Sequence, residues 1–502
     1  MTESSFSDTA VVETTAGPVS GIAHSGGAAY LGVPFAAAPT GARRFLAPQP
    51  AERWNGVRAC TEYGPTPQRR PFAAITAVPD PSIPGDDTLS VSVFTPAAGD
   101  PDAGLPVLAW VHGGAYFAGS PASPWYDGRS FSRDGVVTVV ISYRLGFDGY
   151  GWIDGAPLNR GVLDQIAALE WIRDNIRGFG GDPARVTIAG QSAGGGSVLT
   201  LLTSPRAEGL FSGVISQSGA VSALDPAQAE RFGRDFAGAV GVAPTLEAWR
   251  TVSEDRILDL EREHNHVPTA VPMSASPAQL IEAIRRDPVW SMDLAFAPVA
   301  DGVTVVSVDE AIRAGRGAGV PLLLGANESD VVTGDRGDAD LDEVVDALRD
   351  AGASREAIQR FGQKLSDADH AQSAKGRLLS IYSFRSQALH FAQTRTNSGS
   401  GDRTWLYDFT YRSTATGNSG HCDELPFTWD LLDAEGVHRE LGDAPPQDLA
   451  TRMHADWVHF IRTGTAPWRP TRETGVGAHL YGGDADHDPD AYALEAQLIG
   501  SA

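Results

Sequence analysis

Cysteine is scarce in this chain: its 502 residues include only two, Cys60 and Cys422. A framework of several disulfides is therefore excluded, and free thiols in a reducing compartment are the expected state. No apolar run approaches the roughly 18 residues that a membrane-spanning helix needs. The N-terminal segment MTESSFSDTAVVETTAG has no basic stretch followed by an apolar one, so we expect no secretory signal and a cytoplasmic location.

Basic residues are also few: 39 Lys and Arg stand against 63 Asp and Glu, giving a net charge of −24. Such a surface repels phosphate backbones and anionic membranes, so we expect neither nucleic acid nor a membrane as a partner. Hydrophobic residues make up 42% of the chain, as in an ordinary globular protein. The expected partner is a small molecule, and the composition leaves the oligomeric state open, with a monomer favoured.

Short runs rich in Val, Ile and Leu alternate with helix-like segments along the chain. Near-continuous apolar strands that alternate with helices predict an α/β fold, with a mostly parallel sheet covered by helices on both faces. The 3- and 4-residue apolar spacing predicts amphipathic helices at 161–179 and 448–464. The stretch 224–290 lacks strand signals and is interpreted as a largely helical insertion over one end of the sheet. The predicted strands are 91–96, 106–112, 136–144, 185–190, 213–219, 321–327 and 403–411.

One hydroxyl, that of Ser192, lies in a turn almost bare of side chains, within VTIAGQSAGGGSV (186–198). The residues before it predict a strand, and the small and apolar residues after it predict a helix. Gly-x-Ser-x-Gly between strand and helix is typical of a nucleophile elbow, in which Gly190 and Gly194 leave room for a tight turn. The alternative is a glycine-rich turn that only lets the helix approach the sheet.

A serine that attacks a carbonyl group needs oxyanion donors, an acid and a histidine. The glycines of VHGGAYFAGS (111–120) follow a predicted strand and expose backbone N–H groups, so they are candidate donors. Composition does not choose among the histidines that follow Ser192. The two histidines of EREHNHVP (261–268) lack an evident third ligand and are interpreted as part of a polar loop. We therefore expect no metal and no organic cofactor.

Three segments together identify a family: HGGAYFAG (112–119), GHCDELPF (420–427) and the long stretch from NRGVLDQ to GQSAGG (159–195). The sequence resembles the type-B carboxylesterases, the α/β-hydrolases that include the bacterial para-nitrobenzyl esterases and, more distantly, the cholinesterases. The similarity runs from about Val12 to about Tyr481. It implies an α/β-hydrolase fold in which residues 1–502 form a single domain.

The resemblance implies roles for particular residues. Ser192 is the expected nucleophile, and His421 of HCDELP is the expected base. The family acid follows the glycine of LLLGANESD by five residues, which selects Asp330, although Glu328 lies only two residues away and strand geometry does not choose between them. The expected oxyanion donors are the backbone N–H groups of Gly114, Ala115 and Ala193. Ser218 corresponds to a serine that supports the acid and the histidine.

The sequence departs from the family pattern at several of these positions. Gln191 replaces the usual Glu before the nucleophile, and Cys422 replaces the Gly after the histidine. We expect a buried thiol that only fills space at Cys422, and the alternative is a modifiable thiol that gates the site. The family's N-terminal disulfide falls on Thr66 and Thr88, in agreement with a reducing compartment. No Trp lies between those two positions, so a choline-ester specialist is not expected.

The expected activity is hydrolysis of small to medium carboxylic esters through an acyl-enzyme intermediate. The register of the family places acyl-pocket residues at Met292 and Leu294, which leaves room for groups larger than acetyl. The alternative is that these two residues only pack the lid. One alternative is hydrolysis of carbamates or amides by the same triad. A more remote one is a non-catalytic scaffold or adhesion protein, although such proteins lose the serine or the histidine that this chain retains.

Overall fold

The computed structural model describes residues 9–71, 76–266, 274–289, 294–333, 338–366, 373–483 and 485–500. All the strands predicted from the sequence are present, with ends shifted by a few residues. The strands are β1 Val12–Glu13, β2 Pro18–Ser20, β3 Ile22–His24, β4 Gly27–Pro34, β5 Arg58–Ala59, β6 Ser90–Thr95, β7 Leu105–Val111, β8 Val137–Ile141, β9 Gly181–Gln191, β10 Gly213–Gln217, β11 Leu322–Asn327, β12 Thr404–Phe409, β13 Ala478–Tyr481 and β14 His487–Asp488.

The main sheet has the strand order β14-β13-β12-β11-β10-β9-β7-β8-β6-β4-β3. The strands from β13 to β8 in that order all run parallel to their neighbours, and the pairs at the two edges are antiparallel. The carboxyl ends of the parallel strands therefore meet at one edge of the sheet, where ligands bind in open α/β folds. A smaller sheet, in the order β1-β2-β5, lies near the N-terminus.

Helices connect these strands, as the amphipathic patterns at 161–179 and 448–464 predict. They are α1 Arg129–Arg133, α2 Gly146–Tyr150, α3 Arg160–Asn175, α4 Ala193–Thr203, α5 Pro226–Val240, α6 Leu246–Trp249, α7 Glu254–His264, α8 Pro277–Arg286, α9 Val308–Arg313, α10 Asp338–Asp350, α11 Arg355–Ser366, α12 Ala374–Ser380, α13 Ser386–Asn397, α14 Leu425–Thr428, α15 Val437–Leu441, α16 Gln447–Thr463, α17 Thr471–Thr474 and α18 Ala493–Ile499. Short 3₁₀ turns lie at Gly41–Arg43, Pro124–Tyr126, Ile176–Phe179 and Gly401–Arg403, and a π-helical turn at Ile381–Arg385 joins α12 to α13.

The two faces of the sheet build separate apolar cores. Along β7, Val107 and Ala109 belong to one buried cluster and Leu108 and Trp110 to the other, because successive side chains of a strand point to opposite faces. Helix α3 packs its apolar stripe into the first cluster, and α16 packs its own into the second. Helices thus cover both faces, and the α/β class predicted from the sequence is confirmed.

The described part of 224–290 carries α5 to α8. Helix α5 begins with a capping box, in which Asp225 accepts a backbone hydrogen bond and Gln228 bonds back to the Asp225 N–H group. Among the described residues, no helix is long and apolar enough to cross a membrane.

Candidate active site

Ser192 lies between the end of β9 and the start of α4, at the edge where the parallel strands end. Its backbone has φ 59° and ψ −124°, a region that L-residues rarely occupy. The peptide group is held from both sides, since Ser192 N donates to Gln217 O at 2.9 Å and Ser192 O accepts from Gly196 N at 2.9 Å. A residue kept in such a conformation by its surroundings is typical of a functional site and costs on the order of 1–3 kcal/mol.

The glycines around Ser192 are required by the close approach of two backbone segments. A Cβ atom on Gly194 would lie 2.1 Å from Val111 O, and one on Gly190 would lie 2.4 Å from Gly194 C. A Cβ atom on Gly113 would lie 2.7 Å from Gln191 O and 3.1 Å from Ser192 Cβ. The small residues around Ser192 are therefore required because this tight turn lies in close backbone contact with the loop that follows β7.

The loop after β7 carries the predicted oxyanion donors. Gly114 and Ala115 have φ angles of 116° and 52°, so the chain reverses sharply beside Ser192. Gly114 O accepts hydrogen bonds from Phe117 N and Ala118 N, which fixes this turn. Ala193 is the first residue of α4, whose N-terminal N–H groups have no partner within the helix. The described chain thus brings the Gly113–Gly114 turn and the start of α4 together around Ser192.

Asp330 and His421 are brought into direct contact from two neighbouring strands. Asp330 follows β11 and His421 follows β12, and His421 Nδ1 lies 2.6 Å from Asp330 Oδ1. The other carboxylate oxygen, Oδ2, accepts hydrogen bonds from Ser218 Oγ at 3.0 Å and from Asn327 N at 2.9 Å. The Asp330 side chain is fully buried, whereas that of His421 is 28% exposed. This arrangement orients the imidazole and leaves its Nε2 edge for chemistry.

The electrostatics around His421 favour its protonated form. Burial disfavours the charged imidazole, but the hydrogen bond and the charge of Asp330, together with the charge of Glu424, outweigh burial and raise the pKa of His421. The histidine directly after β7, His112, behaves in the opposite way. Burial lowers the pKa of His112 to about 4, so this ring stays neutral and stacks on Tyr143.

Glu328, the competing acid, lies in a different environment from Asp330. Its buried carboxylate lies 2.8 Å from Lys364 Nζ and 3.2 Å from Arg377 Nη1, and Arg412 Nη2 is 3.7 Å away. Burial opposes the charge of Glu328, but Lys364 and Arg377 outweigh it and hold the pKa of this carboxyl well below its usual range. The structure therefore brings Asp330 to His421 and pairs Glu328 with cations.

Gln191 and Cys422, two of the departures from the family pattern, contact each other beside His421. Cys422 Sγ lies 3.3 Å from Gln191 Oε1, and Gln191 Nε2 lies 3.2 Å from His421 Nε2. Cys422 has φ 76°, a conformation that suits Gly and costs an L-residue about 1 kcal/mol or more. Burial, followed by the charges of Glu424 and Asp330, raises the pKa of the thiol well above its ordinary value. The residue as a whole is only partly buried, and its thiol makes a polar contact in addition to the packing expected from the sequence.

Sequence reasoning missed three residues that contact this group. The Asn327 side chain donates to Gly420 O at 2.6 Å and to Glu424 Oε2 at 2.8 Å, which links the acid loop to the histidine loop. Burial, and then the charge of Asp330, raise the pKa of Glu424 to about 7. The Phe384 ring lies 4.6 Å from the His421 ring. Asn327 and Glu424 belong to the motifs GANESD and HCDELP and could have been found there, but no local signal links Phe384 to the site.

Only one of the two predicted acyl-pocket residues lies among the residues that the structure describes. Met292 lies outside the described residues, and Leu294 is buried in the larger apolar cluster. Their assignment to a pocket stays a prediction. Among the described residues, no group of three or more His, Cys, Asp or Glu side chains could hold a metal ion.

Comparisons with known proteins show which family the whole chain resembles. The sequence model of the Carboxylesterase family matches residues 8–476. The chain is 30% identical over 476 residues to para-nitrobenzyl esterase of Bacillus subtilis, covering 90% of each chain. It is 30% identical over 477 residues to Carboxylesterase 1E of Rattus norvegicus, covering 87% of this chain and 82% of the relative. A solved PNB esterase superimposes with a TM-score of 0.80 and 26% identity, over 99% of this chain and 100% of the other.

The fold is that of an α/β-hydrolase, and the chain belongs to the carboxylesterase family. It is accordingly a serine carboxylic-ester hydrolase that acts on small-molecule esters, and the function expected from the sequence is confirmed at that level.

Proposed function

We propose that this esterase hydrolyses small to medium carboxylic esters through an acyl-enzyme intermediate, with Ser192, His421 and Asp330 as its catalytic triad. The observation that carries the proposal is the 2.6 Å contact between His421 Nδ1 and Asp330 Oδ1 at the sheet edge that also presents Ser192 on its strained elbow. The elbow, the base and the acid then perform the successive roles that acyl transfer requires.

In the first half of the reaction, His421 Nε2 takes the proton of the Ser192 hydroxyl as Oγ attacks the ester carbonyl carbon. Asp330 accepts the hydrogen bond from Nδ1–H, which fixes the tautomer and stabilises the imidazolium. The backbone N–H groups of Gly114, Ala115 and Ala193 donate to the oxygen on which negative charge develops. His421 then returns the proton to the departing alkoxide, so that an alcohol leaves and the acyl group remains on Ser192.

In the second half, water replaces the alcohol. His421 removes a proton from the water as its oxygen attacks the acyl carbon, and the same N–H groups stabilise the second tetrahedral intermediate. Collapse of that intermediate releases the carboxylic acid and returns the proton to Ser192 Oγ. The cycle is balanced by one water molecule for each ester bond cleaved.

We propose that residues 1–502 form one catalytic domain, and that the enzyme works as a monomer in a bacterial cytoplasm, without nucleic acid or membrane partners. The net charge of −24 and the two free cysteines support this proposal. At the position of the family's N-terminal disulfide, Thr66 instead exchanges backbone and side-chain hydrogen bonds with Ile83.

The test of the substrate class is a hydrolysis panel of p-nitrophenyl esters graded by acyl length, with matched p-nitrophenyl carbamates and anilides beside them. We expect the highest kcat/KM among the esters, at acyl chains longer than acetyl. The Ser192→Ala variant is the matched control, since it removes Oγ and leaves the binding surface. Faster turnover of the carbamates or anilides would move the proposal to that substrate class.

A further inference from the structure

The His421 imidazole packs against an aromatic ring that comes from a separate helical segment. The centroids of the Phe384 and His421 rings lie 4.6 Å apart and their planes are inclined by 31°, so the two rings are closer to stacked than to perpendicular. Phe384 is 7% exposed. At the edge of the imidazole, Nδ1 lies 2.6 Å from Asp330 Oδ1. The imidazole is thus held by a carboxylate at its edge and by an apolar surface against its plane.

Phe384 also contacts the segments that carry the other two members of the proposed triad. It forms a small apolar cluster with Ala220 and Ala326, which is separate from the two cores on the faces of the sheet. Ala220 N donates to the backbone oxygen of Ser192 at 3.1 Å. Ala326 lies in β11, the strand that leads to the proposed acid, and Val331, which directly follows that acid, packs against the cluster. One aromatic side chain therefore lies among the segments of the nucleophile, the acid and the base.

The backbone that carries Phe384 forms a wide helical turn. Ile381–Arg385 is a π-helical turn between α12 and α13, which follow each other without a loop. Turns of this kind are rare and are frequently found at functional sites. Because one residue turns an α-helix by about 100°, a turn that accommodates an extra residue changes the direction of the side chains that follow it. The π-helical turn therefore sets the direction in which Phe384 leaves the helix.

Buried ion pairs hold this turn in place. The Arg385 side chain is fully buried and pairs with Asp408 of β12 and with Glu495 of α18. Separating such a pair is costly, because it leaves a buried charge without compensation. The turn is thus anchored to two separate elements of the fold, and the Phe384 ring has little freedom to move away from the imidazole.

We propose that Phe384 is a positioning residue, whose ring holds the His421 imidazole against Asp330 and shields their hydrogen bond from water. The inference rests on the proposed triad and concerns how its base is kept in place. An imidazole that turns about its side-chain bonds leaves its acid, and a misplacement of about 1 Å can cost roughly 10²-fold in rate. A hydrogen bond to a carboxylate is also stronger where water is kept away from it.

The exposure of the pair shows where such shielding acts. The Asp330 side chain is fully buried, whereas that of His421 is 28% exposed. Water therefore reaches the pair through the imidazole, and Phe384 covers part of the surface of that ring.

Two other roles for an aromatic ring at this place make different predictions. A side chain that only filled space would change the free energy of unfolding and leave the chemistry of the folded enzyme unaffected. A side chain that formed part of the substrate-binding surface would change KM and the preference among acyl chains. A positioning residue changes kcat by a similar factor for every ester, because the same base acts on each of them.

The experiment measures kcat and KM for p-nitrophenyl acetate and p-nitrophenyl hexanoate, normalised to active sites titrated to completion with a serine-directed phosphonate. The variants are Phe384→Ala and Phe384→Leu, and the leucine variant retains an apolar side chain in case the alanine variant does not fold. Phe391→Leu is the matched control, because Phe391 is a fully buried phenylalanine of α13 in the larger apolar cluster. His421→Ala tests the base itself, and thermal unfolding is recorded for every variant.

We expect kcat of Phe384→Ala to fall by about 10- to 100-fold for both esters, with KM close to that of the parent. Phe384→Leu should lose less, because its side chain still packs against the imidazole. Phe391→Leu should lower the midpoint of thermal unfolding through lost packing and leave kcat per titrated site at the parent value. His421→Ala should lose several orders of magnitude in kcat.

Four results would overturn the inference. An unchanged kcat in the folded Phe384 variants, with His421→Ala inactive, would leave the triad standing and reduce Phe384 to packing. A changed KM, or a changed ranking of the two esters, would make Phe384 part of the substrate-binding surface. An equal fall of kcat in Phe391→Leu and Phe384→Leu would make the effect a general one of packing. Retention of the parent kcat in His421→Ala would refute the proposed base, and the inference with it.

Discussion

The carboxylate of Asp330 lies 2.6 Å from His421 Nδ1, and its second oxygen accepts hydrogen bonds from the Ser218 hydroxyl and the Asn327 backbone. Three donors thus hold one buried carboxylate in a fixed orientation. An aspartate is one methylene shorter than the glutamate usual in this family, and Asp330 still reaches within hydrogen-bond distance of His421. The links from Asn327 to Gly420 and Glu424 hold these two loops together.

Replacing each candidate acid separates catalysis from stability. In Asp330→Asn, we expect kcat per titrated site to fall by roughly 10⁴-fold, because the imidazole loses its orienting anion. In Glu328→Gln, we expect kcat per folded site to stay close to that of the parent. The midpoint of thermal unfolding should drop, because Lys364 and Arg377 lose their buried partner at a cost on the order of 3 kcal/mol. Active-site titration with thermal unfolding measures both quantities, and the reverse ordering of kcat would make Glu328 the acid.

The pH dependence of the parent enzyme follows from the raised pKa of His421. The base must be neutral, and a raised pKa keeps the proton on the ring to higher pH. The acid limb of kcat/KM should therefore have its midpoint above the ordinary imidazole value of 6.5. A profile recorded from pH 5 to 9 at constant ionic strength measures it. A flat profile between pH 5 and 8 would argue against a histidine base.

Removing the charge of Glu424 should move the acid limb of the kcat/KM profile to lower pH. Glu424 favours the imidazolium, so Glu424→Gln should lower the pKa of His421 and preserve kcat/KM to lower pH. In the parent, the Glu424 carboxylate accepts hydrogen bonds from the side chains of Asn327 and Gln217. In Glu424→Gln, the NH₂ group of the new amide faces one of these two donors, so we also expect the free energy of unfolding to fall by about 1 kcal/mol. The readouts are the pH profile and urea unfolding. An upward shift of the limb would contradict this electrostatic account.

The acyl pocket is tested by the chain-length preference of a bulkier variant. If Leu294 lines the pocket, Leu294→Phe should shift the preference among p-nitrophenyl esters toward shorter acyl chains. Leu498→Phe is the control for general overpacking, because Leu498 is buried in a separate cluster beside α8 and α10. An unchanged chain-length ranking in Leu294→Phe would remove Leu294 from the pocket.

The sequence alone predicted those elements that depend mainly on residues close together in the chain. Strands such as β8 and β11 are continuous apolar runs, and the elbow around Ser192 is visible because glycines must replace side chains where Val111 approaches. The very short strands β1 and β14 carry no such run and were not predicted. A strand of two residues is defined by its partner rather than by its own sequence.

The sequence could not choose between Glu328 and Asp330 from geometry alone, because both follow the same strand. The choice depends on Lys364 and Arg377, which reach Glu328 from α11 and α12, and on His421 from beyond β12. The contact between Gln191 and Cys422 was hidden for the same reason, since 231 positions separate the two residues. Such contacts depend on tertiary packing, which the residue pattern of a single sequence does not reveal.

The identity of the nucleophile is the central claim, and covalent labelling tests it most directly. The enzyme is treated with a serine-directed phosphonate, digested and mapped by mass spectrometry, with Ser192→Ala treated in parallel. We expect one label for each chain, on the peptide that contains Ser192, with no label and a loss of several orders of magnitude in kcat for Ser192→Ala. A label on another serine, or undiminished labelling of Ser192→Ala, would contradict the proposed active site.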